Sequence, residues 1–168
     1  MFSGCKGIGL VELTLPSMTN GKKMFFNCPN LTRFGAEAPK LSDATEMFSY
    51  SSALTSAYIG KNDIVTAENM FSYCTNLKEM VCNFPSLTNA KKMFYECSSF
   101  EICITDFPAL ENAEQMFDGT KLKTFSGSLE SLRTGENLFS GYSYLESFNS
   151  NLNSLELGAN MFSGCDKL

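Results

Sequence analysis

Histidine and tryptophan are absent from this chain of 168 residues. Without histidine, the Ser–His and Cys–His pairings that activate a nucleophile are unavailable, and so is a mixed Cys/His metal shell. Positive charge is also short: 13 Lys and Arg stand against 18 Asp and Glu, for a net charge of −5. No basic stripe marks a nucleic-acid partner. No run approaches the ~20 apolar residues that span a bilayer, and no cleavable leader pattern stands out, so membrane insertion is not expected. Lys6-Gly7-Ile8-Gly9 has two glycines but lacks the phosphate-loop spacing and reads as a turn. Asn30-Leu31-Thr32 is a glycosylation-type tripeptide of the kind that arises by chance. The carboxylates are scattered over positions expected to be solvated. Neither an enzyme nor a cofactor or metal site is expected.

What the chain has is a period. A Met-Phe pair begins at Met1, Met24, Met47, Met70, Met93, Met116 and Met161, and Leu138-Phe139 fills the remaining place. The interval is 23 residues, except for 22 between Met116 and Leu138. Fixed-length repetition is the mark of a solenoid, in which each unit stacks on a copy of itself. Counting each repeat from its Met as position 0, position 4 holds Cys5, Cys28, Ser51, Cys74, Cys97, Thr120, Tyr142 and Cys165. Position 10 reads Val11, Phe34, Ala57, Met80, Cys103, Phe125 and Phe148, and position 15 carries Pro16, Pro39, Pro85 and Pro108. Position 20 is always Gly or Ala.

Each column has a physical job. Positions 7, 10 and 12 suit a short strand facing inward, and proline at position 15 ends it. Position 19 holds Asn20, Asp43, Thr66, Asn89, Asn112 and Thr134, residue types that cap a helix. Glu46 and Gln115 stand three places later, as in a capping box. Position 20, the Met, the Phe and the next position 4 then fall at i, i+3, i+4 and i+7, which predicts a short helical turn.

The unit LxxFxxxxPxLxNAxxMFxxCxx resembles the leucine-rich repeat family of the 23-residue, BspA-like (Treponema) type, across essentially residues 1–168. Such repeats were first associated with spirochaete and Bacteroidetes surface proteins, and the Met-Phe flavour also looks like proteins of gut bacteria and their prophages. Met in place of the usual Ala before Phe, and Phe at position 10, depart from the pattern. The resemblance implies an α/β solenoid, a right-handed superhelix of about seven coils, with a short parallel sheet on the concave face and helical turns on the convex face. It implies a non-enzymatic protein- or glycan-binding adhesion module, on a cell surface or secreted, whose partner sits on a host or target surface. A receptor-binding or structural segment of a phage tail is one alternative, and an intracellular scaffold another.

Five of the seven cysteines stand at position 4. Stacked coils bring them within about 5 Å of one another, yet their side chains point the same way, and Ser51 and Thr120 share the column. They read as small packing residues rather than as disulfides. Positions 9, 11 and 13 should face outward. There the middle coils expose Tyr58, Glu79, Val81, Ile102 and Ile104, which are the candidate binding residues. A one-residue slip in strand phase would turn them inward. The chain opens and stops inside a repeat with no cap sequence at either end. One domain over 1–168 is expected to be a segment of a longer protein, or to cover its ends by self-association or contact with another chain.

Overall fold

The structure, a computed structural model, describes residues 1–103, 105–141 and 144–168. The chain winds as a parallel β-solenoid of about six turns, with isolated parallel bridges linking the position-19 residues from Asn20 to Leu157. The strands are β1 (Leu10–Thr14), β2 (Arg33–Glu37), β3 (Ser56–Ile59), β4 (Glu79–Cys82), β5 (Thr124–Phe125) and β6 (Ser147–Phe148). β1 to β4 form one sheet in chain order, and β5 with β6 forms another. Leu10 pairs with Arg33, Arg33 with Ser56, and Ser56 with Glu79, so the sequence period is the register of the sheet. Between these two sheets, residues 101–103 and 105–106 carry no strand among the described residues.

Strand phase is as expected. Phe34, Ala57, Met80, Cys103 and Phe125 at position 10 are buried, as are Ala36 and Ile59 at position 12. Behind them the position-1 phenylalanines stack through the molecule: Phe2, Phe25, Phe48, Phe71, Phe94, Phe117, Phe139 and Phe162. Their neighbouring ring centroids lie 5.2–5.7 Å apart, with planes within 13°.

The helical turns are corrected. No helix occurs among the described residues, and the Met-Phe segments are tandem β-turns. In the second coil, Met24 N–H closes a turn on the Gly21 carbonyl (3.0 Å). Lys23, the third residue of that turn, has φ 54°, the left-handed value a type II turn demands. The alternate N–H groups leave the coil. Gly21, Lys23, Phe25 and Asn27 donate to Asp43, Thr45, Met47 and Ser49 of the next one, at 2.7–3.0 Å. An α-helix would keep these donors to itself and is ~10 Å wide, too broad for coils that stack at a strand-like ~4.8 Å. The capping residues keep their chemistry without the helix. Asn20, Asp43, Asn89 and Asn112 each accept the N–H two residues on, at 2.9–3.1 Å, as Asx turns. No capping box forms: Glu46 pairs with Lys23 (3.3 Å) and Gln115 donates to Asp118 (3.4 Å).

All seven cysteines are free. At position 4, Cys28, Cys74, Cys97 and Cys165 each donate a thiol hydrogen bond to the phenylalanine carbonyl 26 residues back (3.0–3.2 Å), and the Ser51 hydroxyl does the same (2.8 Å). At these five places the column holds a small side chain that donates to the coil before, whereas Thr120 donates within its own coil to the Phe117 carbonyl (2.7 Å).

Candidate binding groove on the strand face

The outward residues of β3 and β4 build the candidate site. Tyr58 and Val81 are direct cross-strand partners and remain 45% and 60% exposed. A groove of about 620 Å³ opens beside them, with Met80 and Ile59 beneath it, Pro85 and Thr105 at its far side, and Lys61 and Asp63 at its rim. That volume falls in the range of small-molecule and side-chain pockets.

Asn62 shapes the groove. It occupies position 15, where four other coils have proline, and it is buried at 4% exposure. Its Nδ2 donates to the carbonyls of Gly60 (2.9 Å) and Asn83 (3.0 Å), with the Cys82 sulfur at 3.4 Å. Its Oδ1 accepts the N–H of Ile64 (3.2 Å). Proline could make none of these side-chain bonds, so the third coil is tied to the fourth by a polar bracket where its neighbours have a rigid corner. Burial pushes the Cys82 thiol up to about 12, keeping it protonated and unreactive within the groove.

Tyr58 is fixed from the other side. Its hydroxyl donates to Glu37 Oε1 at 2.9 Å, and that hydrogen bond raises the phenol above its ordinary value. The Glu37 carboxylate lies across Gly60, where any larger residue would collide with it.

Of the residues singled out from sequence, Tyr58 and Val81 meet in the groove. Glu79 is exposed two residues before Val81 on β4 and lines a smaller hollow of about 380 Å³ with Tyr58, Leu10 and Arg33. Ile102 is 64% exposed, beyond the last strand of the larger sheet. Ile104 lies outside the described residues. Sequence reasoning missed Asn62, Met80, Asn83 and Thr105. Only Asn62 carried a signal, as the departure from proline between Pro39 and Pro85.

The family model for the BspA-type leucine-rich repeat region, in six copies, matches residues 1–101 and 90–168. No curated protein and no solved structure matches the chain.

Proposed function

The chain belongs to the BspA-type leucine-rich repeat family, and from that premise we propose a non-enzymatic binding module for a protein partner. The partner seats an apolar side chain in the strand-face groove, against Tyr58 and Val81. The observation that carries this reading is their exposure beside a cavity of about 620 Å³, on a sheet whose other outward residues are mostly polar or small. Exposed tyrosines at a pocket are common anchors of protein interfaces, and Val81 extends the apolar patch beside it. Display on a cell or virion surface fits the family, and a phage-tail segment is the second setting consistent with a purely binding role.

The test compares the wild-type protein with the double variant Tyr58→Ala, Val81→Ser in a pull-down from target-cell surface extract. Neither side chain is in the core, so the melting temperature should stay within a few degrees of wild type. Proteins captured by the wild type should be lost from the variant. Capture at full strength by the variant would move the binding site elsewhere on the molecule.

A further inference from the structure

The turn face carries a second concavity, of about 390 Å³, formed by different columns of the repeat. Ser49 and Ser72, both nearly fully buried, make its floor. Tyr50 and Tyr73 form one wall, their rings stacked at 4.7 Å and 12°. Glu46, Asn69 and Lys92 form the other. Phe26 and Tyr95 stand at position 2, the column of the two floor serines, and Tyr95 lines the concavity while Phe26 stands beside Tyr50. Each meets its neighbouring tyrosine edge-on at 5.6 Å. Lys23 and Lys92 sit over these rings at 5.4 and 5.3 Å. Three coil steps of ~4.8 Å put the two rings roughly 14 Å apart.

Tyr50 and Tyr73 are unusual at this place. Both have φ 62°, in the left-handed region that bulky residues avoid. The same position is Gly4, Gly119, Gly141 and Gly164 in four other coils, Asn27 in a fifth and Glu96 in a sixth. The fold is built there without an aromatic ring, yet two successive coils hold one, and Tyr50 is 49% exposed.

We propose that this groove binds a carbohydrate of one or two sugar rings. The apolar faces of the sugar lie against the tyrosine rings, and its hydroxyls pair with Glu46, Asn69, Lys92 and the floor serines. The mixture of a carboxylate, an amide, an ammonium and hydroxyls along an aromatic wall offers both donors and acceptors to a polyhydroxylated ligand. A volume of about 390 Å³ suits a short ligand. An extended peptide is disfavoured because the backbone has nothing to offer it. The N–H groups of Glu46, Tyr50, Asn69 and Tyr73 all donate to the next coil at 2.8–2.9 Å, so no strand can be added. This site is independent of the strand-face groove.

The experiment probes an array of immobilised mono- and disaccharides, neutral and acidic, and titrates the strongest binder in solution. Three of the six tyrosines, Tyr50, Tyr73 and Tyr95, line the groove and the chain has no tryptophan, so tyrosine fluorescence reports on it. The discriminating variant is Tyr50→Asn with Tyr73→Asn, because Asn27 already adopts φ 52° at the equivalent place. Wild type should bind and change its tyrosine emission. The double variant should keep its melting temperature within a few degrees and lose at least about tenfold in affinity. Tyr58→Ala should bind the sugar as wild type does. An array without a bound sugar, equal affinity in the double variant, or loss only in Tyr58→Ala would each overturn the proposal. So would tyrosine quenching by short peptides with the array blank.

Discussion

Cys28, Ser51, Cys74 and Cys97 occupy one column because each gives a single short donor to a carbonyl of the coil before. Packing alone would have accepted alanine there, and the exchange of Cys with Ser and Thr was the visible sign that a donor is needed. Burial holds the Cys74 and Cys97 thiols well above their ordinary range and raises Cys103 to about 12. A thiol that cannot ionise does not react. Cys5 and Cys165, in the first and last coils, are half-buried. Alkylation of the native protein near pH 8 should therefore label Cys5 and Cys165 first. Cys28, Cys74, Cys82, Cys97 and Cys103 should follow only in denaturant. Intact mass in denaturant without reductant should show seven additions, one for each free thiol. Native labelling of Cys74 or Cys97 at the rate of Cys5 would contradict the packing, and fewer than seven additions would reveal a disulfide.

At the scale of the element, the strands were legible and the turns were not, for a definite reason. Strand alternation has period 2, and Phe34, Ala36, Ala57 and Ile59 satisfied it with buried side chains, which left Tyr58 and Val81 outside. The Met-Phe segment was ambiguous. Two tandem β-turns bring the position-20 residue, the Met, the Phe and the next position 4 inward at the same i, i+3, i+4 and i+7 spacing as a helix. What separates the two structures is where the backbone N–H groups go, and side-chain periodicity does not carry that. The left-handed residues Lys23, Glu46, Lys92 and Gln115 are also invisible in sequence, since none is a residue type that favours positive φ. Each costs about 1–2 kcal/mol and is offset by a hydrogen bond to the next coil. The groove at Asn62 was legible only as an exception in the proline column, and its depth depends on a bracket between coils that one repeat cannot show. Far-UV circular dichroism decides between the two turn structures. The spectrum should show strand and turn character without the double minimum of an α-helix. A helical double minimum that vanishes cooperatively with unfolding would restore the helical turns.

Across the whole molecule, each coil touches only its neighbours, so stability is a sum of interfaces rather than the property of one closed core. Phe71 lies in the middle of the ring stack, fully buried between Phe48 (5.3 Å) and Phe94 (5.6 Å). Phe162 belongs to the same column but is half-buried, stacked on Phe139 alone (5.6 Å) with Phe148 against it edge-on. Phe71→Ala removes contacts on both sides and leaves a cavity that the flanking rings cannot close, so it should cost about 3–5 kcal/mol. Phe162→Ala removes a partly wet contact and should cost about 1–2 kcal/mol. The same gradient should appear in hydrogen exchange, with amides of β2 and β3 opening last and those of the first and last coils first. Both β2 and β3 are paired on each side, whereas β1 and β6 each have one strand neighbour. Urea titration of the two variants, with exchange on the wild type, tests one idea twice. Equal costs for Phe71→Ala and Phe162→Ala, or uniform protection from end to end, would mean that the solenoid unfolds as a single unit and that its coils are not the independent quantities of stability.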